Sequence, residues 1–267
     1  MPLTSFQSRL ARLLATNRTE DSYLAGGAAL HIEPNSKRFS NDLDYFHDSV
    51  ERVAEAFGQD RRLLETNGYS VTVDMTQPGY IRATIRLDEG ATRVEWAHDS
   101  SWRFLPTLFD ERVGYLLHPI DLAVNKVLAL AGRDEPRDFL DTLHVHHETL
   151  PLGALCWAAA GKDPGFTPLS LLELLRRRGK YRPEDFSKLH LAIPVDLPAM
   201  KEDWHCAVEE AERLINSRPP EEIGCLYYST QRRVFLEPTA DMKDVVPHYG
   251  RPCGVLPRII EPSLDNP

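Results

Sequence analysis

The N-terminal residues place Phe6, Leu10, Leu13 and Leu14 at helical spacing, which predicts a first helix over 4–16. A short apolar run at 23–25 then leads into Gly26-Gly27, and a brief helix is expected from Ala28. Residues 42–46 read as the next strand. Ser49 suits a helix cap, and Asn67-Gly68 suits the stop of that helix. Runs at 69–75, 80–87 and 91–97 look like strands, separated by turns at Gln77-Pro78-Gly79 and Asp88-Glu89-Gly90. Beyond Pro119 the pattern changes to helices, expected at 120–131, 137–149, 152–160, 168–178, 183–190 and 197–216. The segment from Pro219 is rich in proline and short strand-like pieces. The expectation is an α+β chain. A mixed sheet of about five strands with flanking helices occupies 1–118, and a mostly helical region occupies 119–267.

Composition narrows the function classes. The 42% hydrophobic content of the 267 residues supports a real core. No run approaches the roughly 18 apolar residues of a membrane span. The amphipathic start lacks the apolar core and small-residue cleavage site of a secretory signal, so the expected location is cytoplasmic. Cys156, Cys206, Cys225 and Cys253 form no CxxC, which argues against a zinc site and a disulfide framework. A net charge of −9 speaks against coating nucleic acid by bulk electrostatics, although Arg176, Arg177, Arg178, Lys180 and Arg182 make a local basic cluster. That cluster suits a solvated helix end, or contact with the phosphates of an RNA acceptor.

Two acids interrupt the apolar strand at 42–46. Side chains alternate along a strand, so Asp42 and Asp44 point the same way, about 6–7 Å apart along the backbone, while Leu43 and Tyr45 face the core. Water, a raised pKa or a cation must relieve the repulsion. A solvated DxD on an edge strand would satisfy the first. The flanks favour the third. Gly26 and Gly27 allow close approach of a phosphate to backbone N–H groups, and Arg38 and Ser40 add a cationic donor and a hydroxyl.

A second constellation lies within 121–143. Lys126 and Arg133 share a face if one helix carries both. Gly132 and Pro136 mark a break, and a new helix from Pro136 would carry Arg137, Asp138 and Asp141. Taken alone, these could be surface helices with intrahelical ion pairs worth a few tenths of a kcal/mol each.

The first segment resembles the opening motif of the nucleotidyltransferase superfamily: two small residues, a spacer of 14 residues (28–41), then Asp-x-Asp. The form Arg-x-Ser-x-Asp-x-Asp, 38–44, resembles the AbiEii/AbiGii toxin branch. Lys126, Ala129, Leu130 and Arg133, followed by Arg137, Asp138 and Asp141, are similar to the second signature of that branch. The match covers roughly 22–143.

The resemblance implies a nucleotidyltransferase-like sheet domain and an enzyme that moves a nucleoside monophosphate from an NTP to an acceptor hydroxyl, releasing pyrophosphate. Asp42 and Asp44 would hold Mg²⁺, and Gly27 and Ser40 would seat phosphates beside Gly26 and Arg38. Lys126, with Arg133 or Arg137, would neutralise triphosphate charge. Asp138 or Asp141 would orient those cations or assist the attacking hydroxyl, and the choice between the two stays open. A third carboxylate on a later strand is common in the superfamily. Glu95 fits that position, as a further metal ligand or as the base; Asp99 and Asp74 fit it less well. The resemblance also implies a toxin–antitoxin or phage-defence setting, a cognate antitoxin and an RNA acceptor, particularly a tRNA 3′ end. A small-molecule acceptor such as an antibiotic, and an inactive nucleotide-binding or interaction module, are the alternatives. His144, His146 and His147 suggest a metal cluster but suit helix-end histidines better.

Overall fold

The computed structural model describes residues 3–33, 38–88, 90–187, 189–192, 194–239 and 241–257. Residues 34–37 of the spacer before the acidic pair lie outside these. The fold is α+β, as the sequence leads one to expect.

The N-terminal half is organised around strand β2 (Asp42–His47). It lies between β1 (Ser22–Ala25), antiparallel to it, and β5 (Gly90–His98), parallel to it. With β3 (Ser70–Gln77) and β4 (Tyr80–Leu87) these strands form one sheet. Two short strands, β7 (Leu108–Asp110) and β8 (Gly114–Leu116), extend it past β1, to the order β3-β4-β5-β2-β1-β8-β7. The sheet therefore has seven strands rather than about five. The two additional strands span only three residues each, too short for an alternating pattern to register. Helix α1 (Ser5–Leu14) begins at a capping box in which the Thr4 hydroxyl accepts from the Gln7 amide and the Gln7 side chain accepts from the Thr4 amide. Helix α2 (Gly26–Leu30) opens on the glycine pair, two residues earlier than expected. Helix α3 (Val50–Thr66) starts at the Ser49 cap and ends at Asn67.

Burial along β2 alternates: Leu43, Tyr45 and His47 are buried, while Asp42, Asp44 and Phe46 are half-buried on the opposite face. Behind the strand, Asp60 of α3 accepts two 2.6 Å bonds from Arg18 and one of 2.7 Å from the Trp96 indole. The Arg18 guanidinium lies 4.5 Å above the Tyr45 ring. This buried network braces the rear of the strand whose front carries the acids.

The second half is built from α4 (Pro119–Arg133), α5 (Pro136–Glu148), α6 (Leu152–Lys162), α7 (Pro168–Arg176) and α8 (Leu197–Ser217). The helix expected at 183–190 is a single 3₁₀ turn, Pro183–Phe186, whose backbone bonds, Asp185 to Arg182 and Ser187 to Glu184, span three residues rather than four; Lys188 lies outside the described residues. After α8 the chain forms β9 (Cys225–Ser229), flanked by β10 (Val234–Phe235) and β11 (Val245–Tyr249). Then β12 (Arg251–Pro252) pairs back with β6 (Trp102–Arg103) of the first half.

Buried apolar side chains fall into two clusters. One runs from Leu3 to Leu122 and the other from Phe104 to Tyr227. Asp121, buried in the first turn of α4, ties α4 to the end of the first half: its carboxylate accepts from the Phe104 and Leu105 amides at 2.8 and 3.0 Å.

Candidate active site

One cleft, with a cavity of about 140 Å³ at its base, gathers residues of both halves. Its floor is acidic. The parallel register of β2 and β5 sets Asp44 directly across from Glu95, and Asp42 across from Arg93. Glu95 thus joins the Asp42–Asp44 pair on the same wall. Burial, and then the Glu95 charge, push the Asp44 carboxyl up to about 6, with Lys126 opposing. Burial and Glu95 likewise push the Tyr80 hydroxyl, which hydrogen-bonds Glu95, up to about 12. Asp74 instead accepts from Thr84 on the outer strand pair, and Asp99 pairs with Lys162; neither lines the cleft.

The glycine pair is packed against this floor. Gly26 has φ +63°, and a Cβ there would stand 1.9 Å from an Asp44 carboxylate oxygen. A Cβ on Gly27 would stand 2.8 Å from the Arg38 guanidinium and 3.2 Å from the Ser40 hydroxyl. The second position cannot carry a side chain without moving two of the residues expected to meet phosphate, and the first cannot without displacing Asp44. Ser40 donates to the Asp42 carbonyl at 2.9 Å, which ties the approach loop to β2.

The opposite wall is cationic and is set by two buried aspartates. Asp141 accepts a two-pronged contact from Arg38, at 2.8 Å on each oxygen, and pairs with Lys126 at 2.8 Å and with His31 at 2.9 Å. Burial alone would raise its carboxyl, but Lys126, His31 and Arg38 together hold it well below the usual carboxylate range. Asp138 grips Arg133 through bonds of 2.6 and 2.9 Å. That grip depends on the break between α4 and α5. Asp134 takes the left-handed conformation (φ 47°) and accepts from the Tyr181 hydroxyl and the Arg178 guanidinium, so Arg133 turns back onto α5. Arg137 pairs with Glu135 at 2.7 Å and lines the same cleft. Asp138 and Asp141, left as alternatives by the sequence, therefore have separate partners.

His31 carries no motif signal. Its contact with Asp141, 110 residues away, marks it. Two members of the basic cluster are tied down: Arg176 pairs with Glu212, and Arg178 pairs with Asp134.

The donor set on the floor fits a hard divalent cation. Asp42, Asp44 and Glu95 offer only carboxylate oxygens, and Glu95 adds to burial in raising the Asp44 carboxyl while Lys126 and Arg137 oppose it, a setting that a bound cation would relieve. His146, His147 and Asp203 form a second group with ligand atoms within 4.8 Å of one another. There the His146 Nδ1 accepts from the Leu152 amide at 2.9 Å. The neutral ring then carries its proton on Nε2 and has no free lone pair for a metal, so this group is a poor metal site.

Residues 9–217 match the family model described as "Nucleotidyl transferase AbiEii toxin, Type IV TA system". No curated protein matches the chain. Among solved structures, the chain is similar to MenT4, a nucleotidyltransferase toxin from Mycobacterium tuberculosis H37Rv, with 17% identity and a TM-score of 0.56 over 80% of this chain and 83% of that one. It is also similar to JHP933 from Helicobacter pylori, with 14% identity and a TM-score of 0.49 over 78% of this chain and 90% of that one. At 17% identity, the likeness to MenT4 speaks for the fold.

Proposed function

From the premise that the chain belongs to the AbiEii family, nucleotidyltransferase toxins of type IV toxin–antitoxin systems, we propose that it transfers a nucleoside monophosphate from an NTP to the 3′ hydroxyl of an RNA, a tRNA in particular. The observation that carries this reading is the facing of two opposed walls across one cleft: three carboxylates from β2 and β5, and Lys126, Arg133 and Arg137 from α4 and α5. Asp42, Asp44 and Glu95 would hold a divalent cation, Mg²⁺ by their hard oxygen donors, and the ion would neutralise phosphoryl charge when bound.

The residues have separable tasks, because phosphoryl and nucleotidyl transfer is mostly positioning and charge neutralisation. Lys126 and Arg133 attract and orient the triphosphate, each held in place by a buried aspartate. Gly26 and Gly27 keep the backbone low, so that phosphate oxygens can come close to Ser40 and to the edge of Arg38. Arg38 spends two nitrogens on Asp141 and serves chiefly to fix that carboxylate. The acceptor hydroxyl attacks the α-phosphorus, the bond to the β-phosphate oxygen breaks, and pyrophosphate leaves. Glu95, across from Asp44, would either complete the ligands of the cation or take the hydroxyl proton, with Tyr80 steadying it. We place this activity in the cytoplasm, under the control of a cognate antitoxin, where stalled growth would serve phage defence.

Incubating the purified protein with each labelled NTP, total RNA and Mg²⁺ tests the reading. Label is expected in RNA of tRNA size, lost on chelation and restored by Mg²⁺. Absence of label in RNA with every NTP would overturn it.

A further inference from the structure

A second cavity, of about 340 Å³, lies behind the cationic wall. It is larger than the hollow at the base of the cleft and within the range of small-ligand pockets. Its sides are apolar: Leu140 and Leu143 from α5, Leu191 and Val195 from the segment before α8, and Met200 from α8. Its polar edge carries carboxylates and histidines. Asp203 pairs with His147 at 2.8 Å, and Glu148 and Asp196 stand nearby.

The two cavities share one wall. Arg38 lines both, and Asp141 lines the second while its partner Lys126 lines the first. A backbone strap keeps them apart: the Phe39 amide donates to the His190 carbonyl at 3.0 Å, and Arg38 bridges to Leu191. Leu189 faces the cleft and Leu191 the second cavity, on either side of His190.

We propose that the second cavity is a nucleobase pocket. Apolar sides suit the faces of a ring, and carboxylates suit the N–H donors on a ring edge. Arg38 on its lining is already committed to Asp141, and His31, His144 and His147 line it as well; the carboxylates of Glu148, Asp196 and Asp203 among them disfavour phosphate there and direct it to the neighbouring cleft. The two cavities adjoin, with Arg38 in the lining of both, so a base in one and a phosphate in the other would belong to neighbouring parts of one nucleotide or of two that meet at the wall. The identity of the ligand rests on the nucleotidyl-transfer reading. The base belongs either to the NTP or to the terminal nucleotide of the acceptor, and the chemistry of recognition is the same for both.

Free nucleosides, which carry no phosphate, test the pocket independently of turnover. Saturation-transfer NMR on the full chain is expected to show at least one of adenosine, cytidine, guanosine and uridine binding. Met200→Trp, which fills the cavity, should weaken that binding at least tenfold; Val195→Phe is the substitute if Met200→Trp fails to fold by circular dichroism. Asp203→Ala should change the order of preference among the four. No bound nucleoside, or equal binding by a folded cavity-filling variant, would overturn the proposal. In transfer assays, a raised KM for NTP alone assigns the pocket to the donor base, and a raised KM for RNA alone assigns it to the acceptor. Both KM values unchanged would also overturn it. Nucleoside binding without any transfer would refute the proposed function and leave the pocket standing; transfer without nucleoside binding would do the reverse.

Discussion

Asp44 and Asp141 solve opposite electrostatic problems. Asp44 faces Glu95 with Lys126 as partial relief, and burial leads in pushing its carboxyl up to about 6. A carboxyl whose pKa is raised on folding stabilises the fold at low pH and loses that contribution as pH rises through the folded value. In metal-free protein, Asp44→Asn should therefore raise the melting temperature at pH 8 and leave it nearly unchanged at pH 4, while abolishing transfer. Thermal denaturation at the two pH values reads this directly. An equal fall at both would show that Asp44 is a structural anchor instead. Asp141 is already compensated by three partners. Asp141→Asn should cost about 3–5 kcal/mol in urea denaturation, because it strands Arg38 and Lys126 in a buried site. A loss below about 1 kcal/mol would contradict the account. At this scale the sequence was informative about Asp42, Asp44 and Lys126, whose motif spacing is local. It was silent on His31 and on Arg38's attachment to Asp141, because those contacts join residues more than 100 positions apart.

The elements that carry the site are short or broken, and their irregularities are what aim the side chains. Helix α2 exists to turn the chain directly over Asp44, and only a residue without Cβ fits its first position. Gly26→Ala should abolish transfer while the protein still folds, since the added methyl meets the carboxylate at 1.9 Å and drives it out of line. Transfer rates, with circular dichroism as the folding check, test this; wild-type turnover would refute the packing argument. The turn between α4 and α5 acts similarly on Arg133. Gly132 and Pro136 marked that break in the sequence. The Asp134 conformation and its Tyr181 and Arg178 partners could not be read there, because they depend on α7 and the segment after it. Glu95 stood out by its apolar neighbours, yet its place opposite Asp44 follows from a parallel pairing that skips two intervening strands.

Across the whole molecule, the cleft works only if both halves stay in register, since one supplies the carboxylates and the other the cations. A division near residue 118 was proposed from the change of pattern. The chain nonetheless stitches across it, through Asp121 and through the return of β12 to β6. Asp121→Ala would leave two buried amides without their acceptor and should cost about 2–4 kcal/mol, measured by urea denaturation. Transfer should fall along with stability, as the walls lose their alignment. A variant as stable as wild type would show that the apolar contacts alone hold the halves together. The negative net charge also makes sense at this scale: attraction for nucleotide is confined to one wall rather than spread over the surface.

The most direct measurement of the central claim is label transfer from NTP carrying its label on either the α- or the γ-phosphorus, with Mg²⁺ and RNA, by wild type and by Asp44→Asn. The account expects the α-label in RNA with wild type, no γ-label in RNA, and neither label with the variant. The γ-label in RNA, or undiminished α-label with Asp44→Asn, would contradict it.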